Sequence, residues 1–261
     1  MDILYIYRRN SDEELELRYS LRSVARHLPW IRKVWIFGDR PQFLAENRAI
    51  VEHVPQHYTA AIGGYRLPVT NLFLQVFLGS LIPELAAEFL LFADDYILLD
   101  AVGEGEMRKD RALENLADRR AVRNGAAQSL WRESLWRTAD LLARFELPTY
   151  NFETHVPAYL TKARVLEAFC AFRDFITEDR LYGPLALTTI LNLALKRGPG
   201  GVVLLGQEQS RAGFYAPADL ATIRAHCAGK KFLSFDESGF TADLRRHLDE
   251  LFPQPSIYES P

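Results

Sequence analysis

Residues Phe89–Asp95 read FLLFADD, so that an unbroken apolar run ends in two adjacent aspartates. Such a run is typical of a strand that is buried on both faces, as in a parallel sheet. In open α/β sheets ligands bind at the carboxyl ends of the strands, and we therefore predict that Asp94 and Asp95 face a ligand crevice. Two carboxylates there would suit a hard divalent cation that also binds phosphate oxygen. The alternative is a turn whose acids are merely hydrated.

Working outward from this stretch, strands and helices alternate over the first 100 residues. The pattern predicts a helix that carries Leu17, Leu21 and Leu28 and stops at Pro29, a second helix at Thr70–Leu81, and a loop between them at 57–68. The predicted strands are Asp2–Tyr7, Val34–Gly38, Ile50–Val54, Phe89–Phe92 and Tyr96–Leu99. Such alternation is typical of an α/β fold with a mostly parallel sheet flanked by helices.

The second half of the chain has a weaker pattern. Residues from about 105 to 145 mix charged residues with alanine and leucine, which favours a helical insertion of two polar-faced helices. After it we expect helices at about 161–175 and 183–197, and a last helix that ends before Pro253. The expected strands are Thr149–Phe152, Val202–Leu205 and Phe232–Phe235.

The composition argues against several classes of protein. With 31 Lys and Arg against 34 Asp and Glu, the net charge of −3 does not favour a polyanion partner. Two cysteines provide neither a disulfide framework nor the paired spacing of a zinc site. The opening residues lack the pattern of a signal peptide, and no apolar run is long enough to span a membrane. We therefore expect a cytoplasmic protein, in the host cytoplasm if a phage encodes it.

Three arginines on the first predicted helix form a candidate anion site. Arg18, Arg22 and Arg26 recur every four residues and share one helix face. Arginine at the edge of a buried face can form two parallel hydrogen bonds to a phosphate or carboxylate. The alternative is a hydrated basic stripe.

Other candidates lie near the predicted strands of the second half. His155, in a segment that also contains Asn151, could act as a general acid or base because its ordinary pKa is near ~6.5. A lone histidine is more often a packed or surface residue. Asp236 follows the predicted strand Phe232–Phe235, and so repeats the arrangement of acids after an apolar strand.

Several of these segments resemble signature regions of one known family. Glu16–Ser23 (ELRYSLRS), Leu28–Ile36 (LPWIRKVWI) and Phe92–Asp95 (FADD) resemble the second signature region of the Stealth family. That family contains bacterial capsular-polysaccharide sugar-phosphate transferases and the lysosomal-enzyme N-acetylglucosamine-1-phosphotransferase.

Three more regions match that family in the same order. Asp2–Tyr5 together with Asn10–Asp12 resembles the first region, and His155–Pro157 resembles the His-x-Pro of the third. Lys231–Asp236 and Leu251–Glu259 (LFPQPSIYE) resemble the fourth. The chain is also similar to compact bacterial and phage glycosyltransferase-like proteins that share these blocks. Since the blocks span the chain, we expect residues 1–261 to form one catalytic domain.

The resemblance implies a GT-A-like fold and a set of site residues. It implies a divalent cation (Mg²⁺ or Mn²⁺) and a UDP-sugar or other nucleotide-sugar as donor. Carried over by position, it implies His155, Asp236 and Asp94 as catalytic residues and Asp94 and Asp95 as metal ligands. The donor-binding positions are Tyr5, Asp12, Arg18, Arg22, Asn151 and Arg180.

Two departures from the family pattern leave the reaction open. The first region reads Tyr5–Arg8 (YIYR) where the family has Tyr-Thr-Trp-Val, and Ala93 replaces an Asn before the two aspartates. The group transferred could be a sugar or a sugar-1-phosphate. The acceptor hydroxyl could belong to a glycan, a cell-wall polymer or a modified base in phage DNA. A nucleotide-sugar or glycan-binding protein that has lost turnover is the rival interpretation.

Overall fold

In the computed structural model, residues 1–11, 13–119, 129–176, 183–198 and 200–260 are described below. The strands are β1 (Asp2–Tyr7), β2 (Val34–Gly38), β3 (Val51–Val54), β4 (Glu88–Phe92), β5 (Ile97–Leu98), β6 (Asp110–Ala112), β7 (Ala158–Thr161), β8 (Val202–Leu204), β9 (Arg211–Phe214) and β10 (Phe232–Phe235). The helices are α1 (Leu15–His27), α2 (His57–Gly63), α3 (Leu72–Ser80), α4 (Glu104–Met107), α5 (Leu130–Arg144), α6 (Lys162–Phe172), α7 (Ala186–Arg197), α8 (Leu205–Glu208), α9 (Leu220–Cys227) and α10 (Ala242–Leu251).

The central sheet has five strands in the order β3-β2-β1-β4-β7. The first four are parallel, and β7 pairs antiparallel with β4 at the edge. Its middle strands are almost entirely buried, as their apolar sequences require: Leu4, Ile36 and Leu90 have no exposed surface. The predicted α/β class, with a mostly parallel sheet flanked by helices, is therefore confirmed.

A buried carboxylate secures the start of β1. Asp2 has no exposed surface. It accepts hydrogen bonds from Arg32, from the Trp35 indole at 2.9 Å and from the Ala86 backbone N–H at 2.9 Å. These bonds connect β1 to β2 and to the segment that leads into β4. A buried charge with this many partners is expensive to disturb. It holds the three strands in register beneath the site.

A second sheet of three strands, in the order β5-β10-β9, lies beside the end of the central one. β10 pairs antiparallel with β5 and parallel with β9. The predicted strand Phe232–Phe235 is β10, so this prediction is confirmed. The strand β9 and the helix α9 were not predicted. The reason is that β9 (RAGF) has too few apolar residues to show a period.

Two other predictions are wrong. The segment 57–68, expected as a loop, contains α2, whose alanines favour about two turns of helix before Gly64 ends it at a φ of 69°. The strand expected at Thr149–Phe152 is only an isolated bridge between Tyr150 and Asn115, and the strand that joins the sheet is β7.

The expected helical insertion is confirmed only in its second half. α5 runs over Leu130–Arg144, but the first half contains the one-turn α4, the strand β6 and a 3₁₀ turn. β6 was missed because its central residue is Arg111, which is 4% exposed and binds Glu208 through two nitrogens at 2.8 and 3.1 Å. An ion pair with a residue 97 positions away leaves no local signal.

Across the described ranges, each helix is either too short or too polar to cross a bilayer.

Candidate functional site

The two aspartates lie in the turn between β4 and β5, where the apolar run of β4 places them at the carboxyl edge of the sheet. The turn is closed by a hydrogen bond from the Tyr96 N–H to the Ala93 carbonyl at 3.2 Å. Burial, and then the negative charges of Asp95 and Glu16, raise the pKa of Asp94 to about 7. A carboxyl with so high a pKa marks a place where negative charge is crowded and unneutralised, a common property of functional sites.

Two serines of helix α1 bind the backbone that follows this turn. The Ser20 hydroxyl donates to the Tyr96 carbonyl at 2.6 Å, and the Ser23 hydroxyl accepts the Leu98 N–H at 3.0 Å. The same helix carries Glu16, whose pKa is raised by burial and by the charge of Asp95, against a hydrogen bond from Asn10 that lowers it. Glu16 therefore belongs to the acidic side of the site, although it was not predicted from the sequence.

His155 meets the acid turn from the opposite side. Its Nδ1 lies 3.9 Å from Oδ2 of Asp95, and its ring packs edge-on between Tyr96 and Tyr215 at centroid distances of 6.4 and 5.9 Å. The backbone of His155 has a φ of 53°, in the left-handed region that costs energy for a residue other than glycine. The structure thus brings the predicted histidine and aspartates together.

A short polar chain holds the aromatic wall beside His155. The Tyr215 hydroxyl accepts from Arg211 at 2.8 Å and lies 3.1 Å from the Ser234 hydroxyl. Arg211 also donates to the Thr154 carbonyl at 2.9 Å, next to the histidine. These contacts link the second sheet to the segment that carries His155.

Asp236 ends β10, which is paired antiparallel with β5. Because Phe232 pairs with Leu98 and Leu233 with Ile97, the end of β10 runs toward the acid turn. The Asp236 carboxylate accepts the Gly239 N–H at 2.9 Å and is exposed. The register therefore directs Asp236 toward the turn that carries Asp94 and Asp95. The connection is an antiparallel strand pair, whereas the sequence suggested that both sets of acids follow parallel strands at one edge of the same sheet.

Two predicted donor-binding residues are completely buried. Tyr5 has no exposed surface, and its hydroxyl pairs with that of Ser20 at 2.7 Å. Asn151 is equally buried: its amide donates to Glu114 at 2.9 Å, and its carbonyl oxygen accepts the Glu153 N–H at 3.1 Å. Direct donor contact is therefore not supported for either. Both residues instead support the backbone behind the site.

Arg18 and Arg22 bind the other end of the chain. Glu259, whose side chain is fully buried, accepts from Arg22 at 2.9 Å through both of its oxygens and from Arg18 at 3.2 Å. Burial would raise the pKa of Glu259, but the Arg22 guanidinium and the Ser256 N–H outweigh it and lower that pKa. Arg18 and Arg22 thus bind a carboxylate, as the chemistry of arginine predicts, but this carboxylate is a side chain of the protein itself.

The predicted donor-binding residues Asp12 and Arg180 lie outside the described residues. Their roles stay predictions.

The turn between β4 and β5 offers two carboxylates to a divalent cation. No group of three or more His, Cys, Asp or Glu side chains in the described part of the chain is arranged to hold a metal ion. Asp94 and Asp95 offer hard oxygen ligands, and burial together with the charges of Asp95 and Glu16 raises the pKa of Asp94 to about 7. The pair fits a cation that takes its other ligands from phosphate oxygen and water, as Mg²⁺ does in many nucleotide sites.

Comparison with known proteins agrees with the resemblance drawn from the sequence. Residues 9–115 match the family model of Stealth protein conserved region 2. A capsular polysaccharide phosphotransferase, LcbA of Aeromonas hydrophila, is 32% identical over 103 residues, which are 39% of this chain and 28% of LcbA. The chain thus matches less than a third of the length of that relative.

Among solved structures, the galactosyltransferase LgtC, in complex with donor and acceptor sugar analogues, superposes with a TM-score of 0.48 at 12% identity. The alignment covers 98% of each chain.

Proposed function

We propose that this chain, which contains conserved region 2 of the Stealth proteins, transfers a sugar-1-phosphate or a sugar from a nucleotide-sugar to an acceptor hydroxyl. The observation that carries the proposal is the meeting of the acid pair with His155 at one turn. A crowded pair of acids beside a histidine can serve both needs of such a transfer: neutralising a diphosphate through a cation, and moving the proton of the acceptor.

The acid pair is the proposed site of the cation. Asp94 and Asp95 would hold Mg²⁺ or Mn²⁺, and the bound ion would offset the negative charge of the donor diphosphate. In the free protein, the raised pKa of Asp94 reflects the cost of holding this carboxylate ionised without a partner. The neighbouring Glu16 adds to that cost, and so favours cation binding further.

His155 is the proposed base. Since its Nδ1 faces Asp95, we assign Nε2 to the acceptor hydroxyl. The carboxylate of Asp95 orients the ring and stabilises the imidazolium that forms when the proton arrives. Tyr96 and Tyr215 limit its rotation from both sides. Asp236, which follows the strand β10 that runs toward the same turn, is a second candidate for contact with the acceptor.

One comparison supports a particular transferred group. LcbA, which is 32% identical over 103 residues, is named a capsular polysaccharide phosphotransferase. This supports sugar-1-phosphate transfer, in which the acceptor oxygen attacks the β-phosphorus and a nucleoside monophosphate leaves. Sugar transfer, in which the oxygen attacks the anomeric carbon and a nucleoside diphosphate leaves, remains the second candidate because Ala93 departs from the family pattern.

The test is incubation of the purified chain with a panel of nucleotide-sugars, Mg²⁺ or Mn²⁺ and a glycan pool, followed by mass spectrometry of the products. We expect an acceptor heavier by one sugar plus one phosphate, together with nucleoside monophosphate. An acceptor heavier by the sugar alone would select the second candidate.

Two variants control this test. Asp95→Asn should abolish turnover, whereas Asp174→Asn, at a side chain that is 86% exposed and lies after α6, should not change it. Nucleotide-sugar binding without turnover under every condition would replace the proposal with the non-catalytic binding protein.

A further inference from the structure

A cavity of about 230 Å³ lies between α3, α5 and the beginning of α7. One wall is apolar, and its most prominent member is Trp131, which is 43% exposed. Besides Trp131, the described lining includes Phe73, Leu130, Ser134, Glu153 and Pro184. None of the predicted site residues that the structure describes is among the lining residues.

Glu153 connects this cavity to the proposed catalytic site. It lines the cavity, and it precedes His155 by two residues. The charge of His155 acts on Glu153, and the charges of Glu153 and Asp95 both act on Tyr96. Glu153 thus belongs both to the lining of the cavity and to the segment that carries His155.

The position of the Glu153 carboxylate is fixed by the backbone around it. Its Oε1 accepts the N–H of Thr188 in the first turn of α7 at 3.1 Å, and its own N–H is held by Asn151. A carboxylate has about four lone-pair sites, so the N–H groups of Thr188 and Leu187 and the Thr188 hydroxyl still leave it able to accept from a ligand hydroxyl. Burial raises the pKa of Glu153, against the lowering effect of the Thr188 N–H and of His155.

The charge of the described lining disfavours anionic ligands. No lysine or arginine occurs among the described residues that line the cavity, whereas one carboxylate does. A phosphate, a nucleotide or a DNA backbone would meet repulsion without a compensating cation. A ligand that combines C–H faces with hydroxyl groups suits an indole beside a carboxylate and a serine, because the faces pack on the ring and the hydroxyls donate to the acid.

We propose that this cavity binds an uncharged sugar ring of the acceptor, with Trp131 as the packing surface and Glu153 as the residue that positions the hydroxyl toward His155. The inference rests on the proposed function and deepens it: the acceptor is a neutral glycan, and a modified base in DNA is disfavoured. Glu153 is a positioning residue that acts on the acceptor before the proton moves.

Binding is tested on the full chain with methyl glycosides of glucose, galactose, mannose, N-acetylglucosamine and N-acetylgalactosamine as probes. Saturation-transfer NMR should detect at least one of them, and calorimetric titration then measures its Kd. We expect Trp131→Ala to weaken that binding by about tenfold, as loss of one aromatic contact implies. Glu153→Gln should weaken binding by a similar factor without loss of the folded state.

Trp136→Ala is the matched control. Trp136 lies on the same helix and is 39% exposed, but it lines a different cavity with Phe175 and Arg144. It should leave the glycoside Kd unchanged. The inference is overturned if no glycoside gives saturation transfer, if Trp131→Ala binds as tightly as the wild type, or if inorganic phosphate or a thymidine oligonucleotide displaces the glycoside.

The two proposals fail in different ways. Donor hydrolysis with Mg²⁺ or Mn²⁺ but no glycoside binding overturns the inference and leaves the proposed function standing. Glycoside binding that responds to Trp131→Ala, with no donor turnover, leaves the cavity assignment standing and overturns the proposed function.

Discussion

Replacing Asp94 by asparagine should stabilise the protein at alkaline pH. Burial and the neighbouring acids raise the pKa of Asp94 from 3.8 to about 7, so the folded state binds a proton that the unfolded chain releases. Between these two values the folded state holds more protons, and its free energy of unfolding therefore falls as the pH rises. Above pH 7 this loss is complete. Asparagine has nearly the same shape, carries no charge and avoids the loss.

The size of the effect follows from the same shift. Each unit of pKa corresponds to about 1.4 kcal/mol, which gives an upper value of about 4 kcal/mol for a rise from 3.8 to about 7. Because the side chain is only half-buried, solvent screening reduces this to about 2–3 kcal/mol. At pH 4 Asp94 is protonated in the folded state and close to half-protonated in the unfolded chain, so the variant should gain little there.

Urea denaturation of both proteins, without metal, at pH 4, 6 and 8 measures this difference. The gain in free energy of unfolding should grow between pH 4 and 8, and transfer activity should be lost at every pH. Adding Mn²⁺ at pH 8 should stabilise the wild type and leave Asp94→Asn unchanged, because only the wild type keeps the ligand pair. A variant less stable than the wild type at pH 8, or a gain equal at all three values, would refute the reasoning.

Three further substitutions address the support of the site. Glu259→Gln should lower the free energy of unfolding by about 3 kcal/mol at neutral pH, because it leaves the half-buried Arg22 guanidinium without its charged partner. Since folding lowers the pKa of Glu259, the difference in this free energy between variant and wild type should shrink as the pH falls below about 4 in urea titrations. Gly38→Ala should cost about 2–3 kcal/mol, since the φ of 127° excludes a side chain and the new Cβ would lie within 2.1 Å of the Tyr7 carbonyl oxygen; a thermal midpoint equal to that of the wild type would contradict this. His155→Asn should keep the thermal midpoint, because asparagine tolerates the left-handed backbone, and should reduce turnover by about 10²–10⁴-fold; unchanged turnover would exclude His155 as the base.

The sheet could be predicted because its strands carry their own signal. The stretches Ile3–Tyr7 and Phe89–Phe92 are apolar along their whole length, and only a strand buried on both faces requires that. The same pattern placed Asp94 and Asp95 at the edge of the sheet. The strand β9, at the edge of the second sheet, has no such signal, since only two of its four residues are buried.

The partners of the charged residues could not be predicted, because an ion pair is a property of the folded chain. Arg18 and Arg22 were expected to face a ligand, and their spacing on one helix face is as predicted. The carboxylate they bind stands more than 230 positions away. Glu153 was missed for a related reason: its role depends on a cavity whose walls come from three separate helices.

The contact between Glu259 and α1 explains how the last residues of the described chain can matter to a site they do not reach. Glu259 and the Phe252 carbonyl hold Arg22, and Ser20 and Ser23, on the same helix, hold the segment that follows the acid pair. A shift of α1 would move the Tyr96 carbonyl, and with it the turn that positions Asp95 against His155. The segments that resemble the second and fourth signature regions are thus connected through α1 to the turn that carries Asp94 and Asp95. A substitution at Glu259 that leaves the protein folded should therefore lower kcat more than it changes KM for the donor, since positioning of the turn, and not a donor contact, is what it disturbs. The opposite pattern, with KM raised and kcat unchanged, would mean that the arginines reach the donor after all.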